Sequence, residues 1–246
     1  MSHRPMQCTD HINHYMLDAE LFDYFDEGTG ATRDFELRLR RYILSLCDVK
    51  PGDRVLDLGS GSGWVAKELT LKNAHVFSVD LSQKNLVKIR TGLHDSSADF
   101  VFADAYHLPF RAGAFDLVVA SEVLEHLDSP AAVLRELQRV LIPEGKMVAS
   151  TPYKERIQYY LCIHCNKKTP ANAHLHSFDE HLLMSLFKSQ NFGRIHFKKF
   201  GNKFLLFARV YYLLRFLPFG LWKALDRAAN FILPKPLHIA AIAERP

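Results

Sequence analysis

The chain has 246 residues and a formal net charge of +4; 48% of its residues are hydrophobic and 24% are charged. This composition is ordinary for a globular protein and leaves room for one α/β domain with a sizeable core, alone or with a cap. It contains no compact run of Lys or Arg, so nucleic acid is not an expected partner.

The N-terminal residues 1–8 lack the apolar core of a signal peptide. No uninterrupted apolar run reaches the ~18 residues that a membrane-spanning helix needs. Four cysteines without a secretory signal predict thiols or metal ligands in a reducing compartment rather than disulfides. We therefore expect a cytoplasmic protein.

The predicted elements divide the chain into an N-terminal helical cap, residues 1–50, and an α/β domain, residues 51–246. In the domain, strands are predicted at 54–58, 75–79, 100–102, 115–120 and 146–150, with helices between them at 64–72, 83–93 and 130–141. This alternation predicts a parallel sheet that is covered by helices on both faces.

Local signals predict where some of these elements begin. Ser129 is suited to cap a helix whose first residue is Pro130, and Pro143-Glu-Gly145 predicts a turn. Ser177-Phe-Asp-Glu180 has capping-box spacing and predicts a helix to about residue 190. Two further strands, at 194–200 and 238–243, are expected to close the sheet.

The segment Val55-Leu-Asp-Leu-Gly-Ser-Gly-Ser-Gly-Trp64 carries the strongest ligand-binding signal. An apolar strand runs into Gly59, Gly61 and Gly63, and Asp57 precedes them. Glycines so placed let the backbone turn tightly and let a ligand approach main-chain N–H groups. A dinucleotide site has glycine at the position of Trp64, so an NAD-dependent oxidoreductase is a disfavoured alternative.

Further motifs follow the glycine loop at the ends of successive strands. Asp80 ends the second predicted strand, and Asp104 follows the third. The blocks 115–126 (FDLVVASEVLEH) and 134–145 (LRELQRVLIPEG) come next. Together these blocks, over about residues 52–152, resemble the class I S-adenosylmethionine-dependent methyltransferases, of the methyltransferase type 11 kind.

The resemblance implies a doubly wound, mostly parallel seven-stranded sheet with an antiparallel last strand, and S-adenosylmethionine as cofactor. In the family's roles, the glycine loop and Asp57 hold the amino-acid part, Asp80 the ribose hydroxyls, and Asp104 the adenine. The implied cofactor-binding residues are Asp57, Gly59, Gly61, Gly63, Asp80, Leu81, Asp104, Ala105 and Ser121.

Two residues are candidates for catalysis. Methyl transfer needs an in-line acceptor more than a dedicated acid, but a base helps when the acceptor is a hydroxyl. His126 lies just beyond the fourth predicted strand, on the side where open α/β sheets bind ligands. Tyr153, after the fifth strand, is the second candidate. The alternative for His126 is a histidine that is merely bonded to loop backbone.

Residues 153–176 hold a candidate metal knuckle. Cys162 and Cys165 have the spacing of a thiolate pair, and His174 and His176 follow within reach of the same ion. A structural zinc site is therefore one hypothesis. The alternative is two buried thiols with histidines that line the acceptor pocket.

The C-terminal helical insertion, residues 201–236, is apolar, aromatic and basic. From Lys203 onward seven Lys/Arg and two Asp/Glu give +5, so the total of +4 leaves −1 for the remainder. Basic residues scattered on an apolar stretch indicate a membrane surface, with 203–235 as the contact. The alternative is a set of helices packed on the protein's own core.

These inferences predict an enzyme that methylates an apolar small molecule or a lipid- or quinone-like acceptor. It would be peripheral on a membrane if the insertion binds one. The rival hypothesis is a non-catalytic S-adenosylmethionine-binding or scaffold protein that kept the glycine loop.

Overall fold

The structure is a computed structural model of the chain. It describes residues 11–21, 23, 25–26, 30–93, 97–163, 166–207 and 214–246. Its strands are β1 Arg54–Leu58, β2 His75–Asp80, β3 Ala98–Phe102, β4 Phe115–Ser121, β5 Leu141–Pro152, β6 Tyr159–Leu161, β7 Lys168–Pro170, β8 Gly193–Asn202 and β9 Pro236–Glu244.

Seven of these strands form one sheet in the order β3-β2-β1-β4-β5-β9-β8. Strands β1 to β5 run parallel, and β9 is antiparallel to both of its neighbours, β5 and β8. The predicted doubly wound, mostly parallel seven-stranded sheet is confirmed. Because β1 and β4 meet at its centre and their connections leave in opposite directions, the sheet has a switch point there, where such folds bind ligands.

Helices cover both faces of the sheet: α1 His11–Leu21, α2 Gly30–Leu44, α3 Trp64–Thr70, α4 Gln83–Gly92, α5 Pro130–Val140, α6 Glu180–Ser189, α7 Lys203–Phe207 and α8 Phe219–Ile232. Successive residues of a strand point to opposite faces. Val55 accordingly packs with α2, α3 and α8, whereas Leu56 packs with α5 and α6. Both side chains are fully buried, which explains the continuous apolar run of β1.

Three local predictions are wrong in detail. Residues 143–145 lie within β5 rather than in a separate turn, and the register between β4 and β5 shifts there. Helix α6 is capped by Asp179, whose side chain accepts the Leu182 N–H (2.9 Å), and not by Ser177. Ser129 precedes α5 but makes no side-chain cap bond; its N–H instead donates to the Tyr106 hydroxyl (2.9 Å).

The C-terminal insertion is anchored to β8 through one buried carboxylate. Asp226 of α8 is 2% exposed and accepts the N–H groups of Gly201 (3.1 Å) and Asn202 (2.7 Å). Trp222, one turn earlier, is also buried. The helix therefore has an inner face that belongs to the core. None of the helices in the described part of the chain is long and apolar enough to span a membrane.

Candidate functional site

A cavity of about 570 Å³ opens at the carboxyl ends of β1, β2, β3 and β4. Parallel strands bring the residues that follow them to one edge of the sheet, so motifs distant in sequence meet there. The walls come from the loops after these strands and from α1, α4 and residues 172–174.

The glycine loop has a backbone that other residues adopt only with strain. Gly59, Gly61 and Gly63 have φ angles of +68°, +50° and +73°. The N–H groups of Gly59 and Ser60 donate to the Val79 carbonyl (2.8 and 3.1 Å), which fastens the loop to the end of β2. A Cβ on Gly59 would lie 2.7 Å from Val123 Cγ2. A side chain on Gly59 would therefore collide with Val123, which also lines the cavity.

Asp80 joins the glycine loop to the start of α4. Its Oδ2 accepts the Gly61 N–H (2.9 Å), and its Oδ1 accepts the Ser82 N–H (2.8 Å). Burial raises the pKa of Asp80, although these backbone hydrogen bonds oppose the shift. The carboxylate lines the cavity, as predicted, with its lone pairs only partly used.

The residues predicted for the adenine side also line the cavity: Leu81, Asp104 and Ala105. Asp104 Oδ1 accepts the Tyr106 N–H (3.1 Å), which holds the loop after β3 in place. Gly59 and Gly61 complete the predicted cofactor residues that the cavity contains.

Three predicted cofactor residues lie outside the cavity wall. Gly63 caps α3, and a Cβ there would lie 2.4 Å from Ile89, so its glycine serves helix packing. The Ser121 hydroxyl bonds to the Ser150 hydroxyl (3.1 Å) on the neighbouring strand. Asp57 is 2% exposed beneath the loop. The contacts of these three positions with the cofactor stay predictions.

Asp57 is a buried acid with a weak hydrogen bond, from the Ser78 hydroxyl at 3.5 Å. Burial, and then the nearby charge of Asp80, raises the pKa of Asp57 to about 8. The folded protein therefore keeps a proton that the unfolded chain loses near pH 4. Its free energy of unfolding should fall as pH rises from 4 towards 8, by at most about 1.4 kcal/mol per pH unit.

Asp57→Asn should remove this pH-dependent component. The variant is expected to be as stable as the parent near pH 4 and increasingly more stable up to pH 8, which urea unfolding at successive pH values measures. Glu68→Gln, at an exposed position on α3, serves as the control and should keep the parent's slope. Equal slopes for Asp57→Asn and the parent would contradict the assignment of the proton to Asp57.

On the other side of the cavity lies Glu122, which the sequence did not single out. Its φ of +54° turns the chain out of β4. Its carboxylate accepts the Ser150 hydroxyl (2.9 Å) and lies 3.4 Å from His238 Nε2. Burial disfavours its charge, but His238 and Ser150 outweigh burial and hold the pKa of Glu122 below its ordinary value.

Glu125, in the short 3-10 turn Leu124–His126, is fully buried. Neither of its carboxylate oxygens has a hydrogen-bond partner. Burial, and then the charge of Glu122, raises the pKa of Glu125 well above its ordinary value. Its backbone carbonyl accepts the N–H groups of Leu175 (2.7 Å) and His176 (3.2 Å), which fastens the loop that carries His174.

His126 and His174 face one another on the cavity wall, with ring centroids 4.7 Å apart. Burial, and then the neighbouring His174, lowers the pKa of His126 to about 4, so its imidazole is neutral at pH 7. His174 Nδ1 bonds to the Glu155 carboxylate. The prediction that His126 lies at the ligand side of the sheet is confirmed in position; its role stays a prediction.

Helix α1 closes this part of the cavity, which the sequence did not predict. The Tyr15 hydroxyl donates to the His126 carbonyl (2.9 Å), and the two rings meet edge to face at 5.8 Å. His14, Tyr15 and Asp18 all line the cavity.

Tyr153, the second catalytic candidate, lies outside the cavity wall. Its hydroxyl donates to Glu180 Oε2 at the start of α6 (2.9 Å), and its ring contacts Lys154 and Lys199. The residue packs the chain after β5 against α6, and its role in catalysis stays a prediction.

The predicted zinc set is not assembled in the described part of the chain. Cys162 lies in the connection between β6 and β7, a two-stranded sheet that the sequence did not predict, and joins no cluster of described ligand atoms. Cys165 lies outside the described residues. His176 Nε2 bonds to the Leu127 carbonyl (2.8 Å). His174 instead clusters with Glu125 and His126.

Comparison with known proteins identifies the segment around the cavity. Residues 56–149 match a family model described as a methyltransferase domain. The 27-O-demethylrifamycin SV methyltransferase of Amycolatopsis mediterranei is 30% identical over 129 residues, covering 50% of this chain and 47% of that protein. The demethylmenaquinone methyltransferase of Corynebacterium urealyticum is 37% identical over 126 residues, covering 50% of this chain and 51% of that protein.

The chain spans about half the length of the curated relatives it matches. Solved structures extend the likeness of the fold over nearly the whole chain. A chain of the complex between the Haloferax volcanii Trm112 methyltransferase activator and its methyltransferase aligns with a TM-score of 0.65 and 18% identity, covering 98% of this chain and 100% of that chain. An S-adenosylmethionine-dependent methyltransferase of Mesorhizobium loti aligns with a TM-score of 0.61 and 19% identity, covering 88% of this chain and 98% of that chain. Residues 56–149 therefore carry a methyltransferase domain, and the chain has the fold of solved S-adenosylmethionine-dependent methyltransferases.

Proposed function

We propose that the protein transfers a methyl group from S-adenosylmethionine to a neutral, apolar acceptor of the quinone or lipid type. The observation that carries this proposal is a single cavity with two different sides. One side holds the glycine loop and Asp80, and the other holds His126 and His174 among apolar residues.

The cofactor side fits the group that the family uses. Gly59 and Gly61 line the cavity without side chains, and Asp80 keeps lone pairs for the ribose hydroxyls. The cavity volume of about 570 Å³ is within the usual range for small-molecule sites. When bound, S-adenosylmethionine supplies a methyl group on a positively charged sulfur, and an acceptor atom that attacks the methyl carbon in line displaces the sulfur.

The acceptor side favours a neutral molecule. Val123, Leu127 and the ring of Tyr106 give it apolar walls, while Asp18 and Glu122 supply carboxylates. Among the described residues that line the cavity, none is Lys or Arg. A phosphate or carboxylate on the acceptor would therefore meet no Lys or Arg there and would lie near these acids.

One relative supports the quinone class by its name, since it is a demethylmenaquinone methyltransferase. A quinone headgroup is a flat, neutral ring whose oxygens can approach the imidazoles of His126 and His174. Its apolar tail would need a route from a membrane, which the C-terminal insertion can provide.

Mass spectrometry of the reaction products tests this function. The protein is incubated with S-adenosylmethionine carrying a labelled methyl group, and with either neutral prenylated quinols or anionic phenolic acids. Labelled methyl should appear in the neutral acceptors and not in the anionic ones. Cofactor binding with no labelled product from any neutral acceptor, lipid extract included, would instead favour the non-catalytic binder.

The outer face of α8 supports the membrane part of the proposal. Leu221, Leu225 and Ile232 recur at helical spacing and are exposed, and Phe231, also exposed, flanks this row. Arg227 and Lys235, also exposed, lie beside them. An apolar helical stripe with basic neighbours is suited to lie in the interface of an anionic bilayer.

Replacing two stripe residues should weaken vesicle binding. Leu225→Glu with Phe231→Glu is expected to lower partition onto phosphatidylglycerol vesicles at least about 10-fold, because burying each apolar side chain contributes about 1.5–3 kcal/mol. Co-sedimentation measures the partition. Val87→Glu, at an exposed apolar position on α4, is the matched control and should bind like the parent. Equal partition of all three proteins would refute a membrane role for α8.

A further inference from the structure

We propose that Glu125, His126 and His174 form a binding site for one divalent transition-metal cation at the wall of the cavity. Their candidate ligand atoms all lie within 4.8 Å of one another. Two ligands of one such cation, each about 2.0–2.2 Å from it, lie at most about 4.4 Å apart. Small side-chain rotations therefore bring the three groups onto a common ion. One carboxylate and two imidazoles are a donor set that transition metals bind.

Unpartnered buried atoms at this cluster point independently to a missing ligand. Both carboxylate oxygens of Glu125 and Nδ1 of His126 are buried without a hydrogen-bond partner. The hydroxyl of Thr151 lies near the Glu125 carboxylate but forms no well-aligned hydrogen bond with it. Leaving a buried polar atom unpartnered costs about 1–3 kcal/mol. A cation would compensate the two ligand groups at once.

The surroundings of the histidines are those of a metal site rather than of a packed core. The Glu155 carboxylate bonds to Nδ1 of His174, which leaves Nε2 as the ligand atom and fixes the ring. Histidines that ligate a metal usually donate their other ring N–H to a carboxylate in this way. The Glu125 carbonyl holds the N–H groups of Leu175 and His176, so the loop that presents His174 is tied to the turn that presents the other two ligands.

The charge around the cluster also favours a cation. Glu122 and Glu155 add two further carboxylates near Glu125. In the described ranges of the chain, no Lys or Arg forms an ion pair with any of these three glutamates; Glu155 pairs with His174, and Glu122 with His238. His126 and His174 line the cavity, so a bound cation keeps open positions towards the acceptor side.

This placement assigns the cation a role in methyl transfer, and that role rests on the proposed function. A hydroxyl of the acceptor can occupy an open coordination position, as water does in catalytic metal sites. The cation lowers the pKa of that hydroxyl, whose O–H bond breaks with release of the proton to solvent. The oxygen is then held as an anionic nucleophile in the cavity.

Metal binding is tested on the full chain without cofactor or acceptor. The protein is stripped with a chelator, dialysed, and titrated with Zn²⁺ by calorimetry and with Co²⁺ by visible absorption. We expect one cation per chain and a Co²⁺ spectrum of imidazole and carboxylate ligation. Glu125→Gln, which keeps the shape of the side chain, and His174→Ala should each weaken binding at least about 10-fold.

Two variants serve as controls. His181→Gln, exposed on α6, and Cys162→Ser, from the cysteine pair, should bind like the parent. Far-UV circular dichroism establishes that each variant is folded, and His174→Ala stands in if Glu125→Gln does not fold. Failure of the parent to bind Zn²⁺ or Co²⁺, or loss of binding in Cys162→Ser with retention in Glu125→Gln, overturns the site.

The same titration separates this site from the proposed function. If the cation binds as expected but no neutral acceptor is methylated, the site stands and the proposed activity fails. If methyl transfer persists at the same rate in the chelator-treated protein, the proposed function stands and the role of the cation fails.

Discussion

Asp80→Ala is expected to weaken S-adenosylmethionine binding about 100-fold. Asp80 lines the cavity at the point where the glycine loop meets α4, and its oxygens already orient the Gly61 and Ser82 N–H groups. Hydrogen bonds to a charged group contribute about 1.5–3 kcal/mol each, and about 1.4 kcal/mol is a factor of ten in Kd. Losing a pair of such bonds to the ribose therefore suffices for this effect. Isothermal titration calorimetry measures it.

Two further variants define the cause. Asp80→Asn keeps an acceptor oxygen in the same place without the charge and should fall between the parent and Asp80→Ala. Asp99→Ala removes an exposed aspartate from the adjacent strand β3 and should bind the cofactor like the parent. A Kd for folded Asp80→Ala within threefold of the parent's would show that Asp80 only orders the loop and does not bind the cofactor.

The central sheet could be predicted because its signals are local. Each buried parallel strand needs a short apolar run, and the glycine, proline and aspartate signals that separate these runs are strong. The strand predicted at 54–58 agrees with β1 in both bounds. The position of Asp80 followed from the same logic, since a residue that ends a parallel strand must lie at the ligand edge of the sheet.

The acceptor side could not be predicted in the same way because it is assembled from distant segments. Glu125 is next to His126 in sequence, but the loop around His174 and helix α1 complete the cavity wall at this pair, and both are distant in sequence. Spacing alone paired His174 with the cysteines. In the structure, the Glu125 carbonyl accepts the N–H groups of Leu175 and His176, which places His174 near the end of β4 instead. Tyr153 was proposed for catalysis from its place after β5, and the sequence does not show that its hydroxyl bonds to Glu180 at the start of α6.

Gly63→Ala is expected to destabilise the protein by about 2–5 kcal/mol. Gly63 has a φ of +73°, and a left-handed backbone costs a residue with a Cβ about 1–2 kcal/mol. The added methyl would also lie 2.4 Å from Ile89 Cγ2 and 2.8 Å from Ile89 Cγ1, and Ile89 is buried in α4. Overpacking of this kind costs about 1–3 kcal/mol. Urea unfolding at constant pH measures the sum.

Gly113→Ala separates the two costs. Gly113 has a similar φ of +64°, but a Cβ there meets nothing within 4 Å, so this variant should lose only the backbone part. A double-mutant cycle isolates the other part. Adding Ile89→Ala removes the clash, so Gly63→Ala with Ile89→Ala should be less destabilised than the sum of the single variants by at least about 1 kcal/mol.

The contact between Gly63 and Ile89 also connects the stability of the fold with the cofactor side of the cavity. Ile89 lies one turn after Asn85, which lines the cavity, so displacement of α4 by the Gly63 methyl would move a wall of the cofactor side. Gly63→Ala should therefore also weaken S-adenosylmethionine binding, and Ile89→Ala should partly restore it in the double variant. Gly63 lies outside the cavity wall, so recovery in the double variant would show that its glycine matters for the distance between α3 and α4. Unchanged weak binding in the double variant would return Gly63 to the set of residues that contact the cofactor.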